Sequence, residues 1–395
     1  MQIYEIIGDV KGKKILLLQG PMGYFFDRLD KHFVKYGAET FRIGLNAADA
    51  YFANKNHYTG YKGRPEEWDI FIEAYLIKYQ IEILFLFGDC RFYQSQAIKV
   101  AKKIGVRVFV FEEGYIRPDF ITLEENGVNG YSVLSKERSF YDVLNYNDES
   151  ECHRKNIKKI GSTYTPMALQ AIVYYIVADT LKFLYPYYQH HRVLSAPLEA
   201  FYGIRNFIRK QFYRLSERNL LGKVVSYSLN YYFVPLQTHG DFQITRHSKY
   251  EDMEEFINEV LLSFASHAPK ESCLFFKHHP MDRGKKNYTN FIMSQAKDLG
   301  CSERIIVCHD VHLPTLLKHA RATITINSTV GLSSLYHKTP TLCMGNAFYD
   351  IKGLTSKGIS LDEFWHNHKE VESELFDKYR CYLIEKTQIN GSFYV

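Results

Sequence analysis

The 395-residue chain has no apolar run long enough to cross a bilayer. Its best stretch, residues 167–185, is interrupted by Gln170, Asp179 and Lys182. The opening residues carry Glu5 and Asp9 beside only a short apolar run, a pattern unlike a secretory signal. Charge of one sign is also scarce in excess. The 49 Lys and Arg stand against 44 Asp and Glu, and a net charge of +5 demands no nucleic-acid partner. Seven cysteines, at 90, 152, 273, 301, 308, 343 and 381, are scattered, and no pair has zinc-ligand spacing. Reduced thiols in a cytoplasmic compartment are expected rather than a disulfide framework. The length favours two domains. Aromatic residues are abundant, with 31 Tyr and 28 Phe.

Residues 106–115, VRVFVFEEGY, are the point from which the rest is read. Val106, Val108, Phe109 and Val110 form a β-branched and aromatic run with no helical period, which predicts a buried strand. It ends in Glu112, Glu113 and Gly114. Open α/β sheets place their ligands beyond such strand ends, and the glycine permits a sharp turn. Alone, the triplet reads first as a solvated acidic turn.

The runs KILLL (14–18) and ILFLF (83–87) predict further strands, closed by Gly20 and by Gly88, the latter followed by Arg91. Helical spacing follows each strand, over 25–36 and 94–104. The turn at Gly20 suits a phosphate or a sugar but matches neither a P-loop nor a GxGxxG fingerprint. Residues 40–45 predict another strand, followed by a long polar and aromatic loop through Asn46 and Asp49. Strands alternating with helices predict a parallel sheet, with Gly20, Gly88 and Gly114 crowding one edge. Residues 121–132 read as a loop.

A second α/β run starts at 231–236 (YYFVPL), and Asp241 follows a glycine in the loop beyond it. Met253, Phe256, Ile257, Val260, Leu261 and Phe264 have helical spacing. The strand at 273–276 ends in Lys277-His278-His279-Pro280. Pro280 pushes His279 toward an extended conformation, and a strand-tip histidine beside a lysine suits phosphate binding or proton donation. No third ligand stands at metal spacing. The strand at 323–326 ends in Asn327-Ser328-Thr329 before a helix. Hydroxyls at a helix N-cap make an anion site, although plain capping explains them as well. Together these features fit a GT-B-like α/β fold with two Rossmann-like domains facing a cleft, over residues 1–160 and 229–395. Between them, 161–228 reads as helical and aromatic. From 182 to 223, eight Lys and Arg stand against two Glu. That segment reads as a membrane-surface element or as a helical subdomain whose arginines lie in water.

The chain resembles bacterial capsule polysaccharide proteins of the KpsS/LipB type. The likeness rests on LLLQGPMGYFF, YKGRPEEW, LFGDCRFY, VFVFEEGYIRPDFITLE, VPLQTHGDFQI, FKHHPMDRG and NSTVGLSSL. More broadly it is similar to bacterial sialyltransferases, with their acidic-acidic-Gly, His-Pro and Ser-Ser/Thr motifs. The resemblance implies a β-Kdo transferase using CMP-Kdo as donor, without a metal or other cofactor. The implied acceptor is a phosphatidylglycerol-type lipid or the first Kdo on it. The implied place is the cytoplasmic surface of the inner membrane, beside other capsule assembly enzymes. The resemblance further implies Asp241 as nucleophile, Glu113 or Glu112 in acid/base catalysis, and His279 at the CMP phosphate. Glu113 is preferred, because the residue next to Gly114 leaves the strand first. Lys277, Pro280, Asn327, Ser328, Thr329, Gly20 and Arg91 complete the expected substrate-binding set. CMP-Kdo carries the β anomer, so a β linkage requires two inversions through a carboxylate adduct. Sialyl-type transfer, or a non-catalytic assembly or export role, are the alternatives.

Overall fold

The computed structural model describes residues 3–54, 56–145, 157–190 and 195–395. The strands are β1 (Lys14–Leu18), β2 (Glu39–Gly44), β3 (Tyr58–Gly60), β4 (Ile83–Phe87), β5 (Arg107–Glu113), β6 (Phe120–Glu125), β7 (Tyr231–Pro235), β8 (Cys273–Lys277), β9 (Ile305–Cys308), β10 (Ala322–Thr325), β11 (Thr341–Cys343) and β12 (Gln388–Asn390). The chain forms two compact units. Residues 1–133, 153–200 and 383–395 make the first, and 134–152 with 201–382 make the second.

In the first unit the sheet runs β12-β6-β5-β4-β1-β2-β3. Strands β1 to β5 are mutually parallel, while β6 returns antiparallel to β5 and β12 lies antiparallel to β6. The sheet is covered on both faces, so its central strands are continuous apolar runs rather than alternating ones. Leu84, Leu86, Val108 and Val110 meet Trp68, Ile72 and Ala97 on one face. Phe85, Phe109 and Phe111 meet Phe26, Leu29 and Phe33 on the other.

The second unit is a five-stranded parallel sheet in the order β11-β10-β7-β8-β9. The Met253–His267 helix packs its expected stripe on Tyr232, Val234, Leu274 and Phe276. Leu316 and Leu317 cover Tyr231, Phe233 and Phe275 on the opposite face. Both units are therefore Rossmann-like, as the GT-B-like reading requires. In each, the strand order reverses beside the first strand, between β1 and β4 and between β7 and β10. Ligands of open α/β sheets bind at such reversals.

Two expectations change. Residues 120–125 are a strand and not a loop, with Thr122 and Glu124 buried opposite Glu112 and Val110. Gly114 makes that return possible, since a Cβ there would lie 2.0 Å from the Phe120 carbonyl oxygen. The domain limits at 160 and 228 also differ from the observed units. Residues 383–395 belong to the first unit because β12 extends its sheet, and the helical segment is shared between the units at 200/201. Among the described residues no helix is long and apolar enough to cross a membrane.

Candidate active site

The second unit's edge is organised at the ends of β7 and β10. Beyond β7, Asp241 caps the short Phe242–His247 helix, its Oδ1 accepting from the Gln243 amide at 2.9 Å. Beyond β10, Ser328 caps the Thr329–Tyr336 helix, its hydroxyl accepting from the Val330 amide at 3.2 Å. Gln237 joins the two ends. Its Nε2 donates to Asp241 Oδ2 and to Asn327 Oδ1, both at 3.1 Å, and its Oε1 accepts from the Asn327 amide at 3.3 Å. Gln237 and Asn327 are buried, so little water competes for these bonds. Asn327 Nδ2 donates in turn to the carbonyls of Gln243 and His247, at 2.8 and 3.4 Å. The Tyr349 hydroxyl donates to the Ser328 carbonyl. Gly331 leaves room for it, because a Cβ there would stand 2.1 Å from that hydroxyl.

The end of β8 sorts its residues by direction. His279 is half-buried, and its Nδ1 accepts from the Met281 amide at 3.2 Å. That bond leaves the ring proton on Nε2. Exposed Pro280 opens a single turn of 3₁₀ helix. His278 is buried between the rings of Tyr288 and His309, with its Nε2 accepting from the Tyr288 amide at 2.8 Å. Burial, with His309 adding, brings its pKa down to about 3, so it is neutral. Lys277, expected at the substrate, is buried as well, and its Nζ donates to the His309 carbonyl at 2.8 Å. It ties the end of β8 to that of β9.

A pair that the sequence did not disclose lies beside them. His239 Nδ1 is 2.6 Å from Asp282 Oδ1, and the His239 amide donates to Asp282 Oδ2 at 2.8 Å. Asp282 is buried and the imidazole half-exposed, so a fixed carboxylate orients a ring two residues before Asp241. The Asp282 amide also donates to the His279 carbonyl at 3.0 Å within the loop after β8, so the His239–Asp282 pair joins that loop to the one after β7. The signal was present in THGD and HHPMD, but nothing local pairs them.

In the first unit, β5 turns its two carboxylates to opposite faces. Glu112 continues the row of Val108 and Val110, and Glu113 that of Phe109 and Phe111. Burial pushes the Glu112 carboxyl up to about 7, against the Glu113 amide at 2.9 Å and the Arg91 guanidinium, which pull it down. Gly88, at φ 71°, brings Arg91 to the same corner. A Cβ there would lie 3.6 Å from Arg91 Nε and 3.9 Å from Glu112 Oε2. Arg91 and Glu112 thus stand together at the ends of β4 and β5. Gly20 has a packing role, since the Phe26 ring would lie 2.6 Å from a Cβ on it.

Gln19, beside Gly20, is the group that reaches the edge. Its Nε2 donates to Asp49 Oδ2 at 2.9 Å and to the Tyr188 hydroxyl at 3.0 Å, and its Oε1 accepts from Gln94 Nε2 at 2.9 Å. The Tyr174 hydroxyl donates to Asp49 Oδ1 at 3.0 Å and accepts from Asn46 Nδ2 at 2.6 Å. Part of the aromatic segment is thereby stitched into the first unit's edge. A cavity of about 460 Å³ adjoins it, lined by Asn46, Lys182, Tyr185, Tyr188 and His190 among others. Among the described residues no cluster of His, Cys, Asp and Glu is disposed to hold a metal ion. None of the six described cysteines forms a disulfide, and Cys152 lies outside the described residues.

The family model described as capsule polysaccharide biosynthesis protein matches residues 82–394. The chain belongs to that family. It is 41% identical over 386 residues to the capsule polysaccharide export protein KpsS of Escherichia coli, covering 98% of both chains. It is 36% identical over 386 residues to the capsule polysaccharide modification protein LipB of Neisseria meningitidis serogroup B, covering 97% of this chain and 92% of that one. Among solved structures it is similar to a KpsC β-Kdo 2,7 transferase of Thermosulfurimonas dismutans, at 14% identity and a TM-score of 0.43, with 95% and 89% of the two chains covered. This capsule biosynthesis protein carries a buried polar network at the β7/β10 reversal.

Proposed function

We propose that this capsule biosynthesis protein is a retaining glycosyltransferase that moves Kdo from CMP-β-Kdo to a phosphatidylglycerol-type lipid, or to the first Kdo on it. It works at the cytoplasmic surface of the inner membrane and needs no metal ion. The observation that carries the reading is the Gln237 bridge, which holds the carboxylate of Asp241 beside the Asn327-Ser328-Thr329 helix start. A nucleophile and an anion site at one strand reversal are what cleavage of a sugar phosphate requires.

In this reading the Thr329–Tyr336 helix start and the Nε2 proton of His279 take the CMP phosphate. Asp241 attacks the anomeric carbon. A bond from its carboxylate oxygen forms as the bond to the phosphate oxygen breaks, and CMP leaves with the electron pair. A deprotonated carboxyl then takes the proton of the acceptor hydroxyl, whose oxygen displaces Asp241. Two inversions restore the β configuration. We assign the proton to Glu112 in preference to Glu113, because the Glu112 carboxyl titrates at about 7 and lies by Arg91.

The test is CMP release by purified protein from CMP-Kdo, with and without phosphatidylglycerol-type acceptor, and in EDTA. Acceptor-dependent release that survives EDTA is expected. Release from CMP-sialic acid alone would move the chain to sialyl-type transfer. Absence of release from either donor would leave a non-catalytic assembly or export role.

A further inference from the structure

The Ala196–Ser216 helix runs for 21 residues without a single buried one. It nevertheless has two distinct faces. Tyr202, Asn206, Arg209 and Tyr213, spaced i, i+4, i+7 and i+11, meet the loops that follow β8 and β9. Asn206 Oδ1 accepts from Arg283 at 3.2 Å, its Nδ2 reaches the Pro280 carbonyl at 3.5 Å, and Arg209 donates to the Arg283 carbonyl at 3.1 Å. The Tyr213 ring stacks on His309 at 3.8 Å with the planes 2° apart. Contact is close enough that a Cβ on Gly284 would lie 2.3 Å from the Tyr202 carbonyl oxygen. Just past the helix, Glu217 accepts from the amides of His309 and Asp310.

The face turned away carries Phe201, Ile204, Ile208, Phe212 and Leu215, at i, i+3, i+7, i+11 and i+14, all between 57% and 71% exposed. Folded proteins seldom leave such a continuous stripe to water. Arg205 borders it on one side, Lys210 and Arg214 on the other, and Glu199 is the only acid in the helix. An apolar stripe between cations fits the region where acyl chains meet anionic headgroups.

We propose that this helix docks on an anionic phospholipid bilayer through the Phe201–Leu215 stripe, and that docking braces the His279–Pro280 loop through Asn206 and Arg209. The brace rests on the reading of His279 as a donor-phosphate ligand, whereas the docking does not. A helix held at a surface loses freedom, and so do the loops bonded to its other face. The donor nucleotide then meets a site already ordered.

The experiment uses the full chain, with co-sedimentation on phosphatidylglycerol/phosphatidylethanolamine vesicles or on phosphatidylcholine vesicles, and calorimetric CMP titration with and without vesicles. Wild type is expected to sediment with the anionic vesicles only, and to bind CMP about fivefold or more tightly there, the low end of ordinary coupling between sites. The Ile204→Ser/Ile208→Ser/Phe212→Ser variant should stay in the supernatant with its vesicle-free CMP affinity unchanged. The Asn206→Ala/Arg209→Ala variant should sediment like wild type but gain no CMP affinity. Undiminished sedimentation of the stripe variant overturns the docking. So does a dimeric wild type that ignores vesicles and becomes monomeric on loss of the stripe, since the face then serves a second copy. An undiminished vesicle effect in the Asn206/Arg209 variant overturns the brace. Should wild type bind no CMP under any condition, the donor reading falls together with the brace, while sedimentation still decides the docking.

Discussion

Gln237 Nε2 stands 3.1 Å from Asp241 Oδ2, and the Gln243 amide holds the other carboxylate oxygen at 2.9 Å. The carboxylate cannot turn without losing one of the two bonds. Replacing Gln237 by Leu keeps most of the volume and removes the bridge. It also leaves Asn327 polar groups buried without their partner, at a cost of about 1–3 kcal/mol. The expected result is a lower melting temperature and a kcat reduced by about a hundredfold, the scale of a misplaced reacting group. Steady-state kinetics beside calorimetric melting check this, and an unchanged kcat would show that the orientation of Asp241 is unimportant.

If Asp241 is the nucleophile, a Kdo–enzyme adduct must form as CMP departs. Intact-mass measurement with CMP-Kdo and no acceptor should show it on wild type and not on Asp241→Ala. Transfer by that variant should drop by several orders of magnitude, as for loss of a covalent catalyst. An adduct mapped to Glu112 would exchange the two carboxylate roles.

The Glu112 carboxyl, raised by burial from 4.5 to about 7, holds a proton in the folded chain that the unfolded chain has released. Its contribution to stability is therefore complete below about 4.5 and is lost as the pH rises through about 7. Glu124, buried under the Tyr115 and Ser132 hydroxyls, is also raised to about 7 and acts in the same direction. Melting temperature should decline between pH 5 and 8 (about the span of these shifts), and Glu112→Gln should flatten part of that decline. As a base, Glu112 works deprotonated, so transfer should rise through about 7. Glu112→Gln should remove the rising limb, and a pH–rate profile that kept it would point to another group.

Gly114→Ala puts a Cβ 2.0 Å from the carbonyl oxygen of Phe120, a backbone atom at the start of β6, one residue before its pairing with β5 begins and itself paired with β12. Neither strand can yield without disturbing Glu112, and overpacking of this kind costs about 1–3 kcal/mol. Gly203→Ala is the control, since nothing lies within 4 Å of its Cβ and it sits inside a helix. It should be neutral or stabilising by up to about 1 kcal/mol. Differential scanning fluorimetry of the two variants separates the cases, and equal melting temperatures would show that the turn tolerates a side chain.

Much of the fold was legible along the chain, because both sheets are covered on two faces and such strands appear as short unbroken apolar runs. KILLL, ILFLF and YYFVP announce β1, β4 and β7 without reference to anything distant. Helical spacing over 253–264 and the Asp, Ser and Pro residues at helix starts act within one or two turns, so they too can be read locally. The strand-end motifs with Glu112, His279 and Ser328 were visible for the same reason. What they touch was not. Gln237 and Asn327 are 90 positions apart and meet only because β7 and β10 are neighbours, which depends on strand order and not on periodicity. Nothing local showed that the Lys277 ammonium would donate to the His309 carbonyl, a contact that the β8–β9 pairing brings about. Residues 121–125 looked like a loop because their burial comes from β5 on one side and from β12, some 270 residues along the chain, on the other. Local chemistry selects an element and its end residues, whereas partners distant in sequence are chosen by the packing of whole sheets.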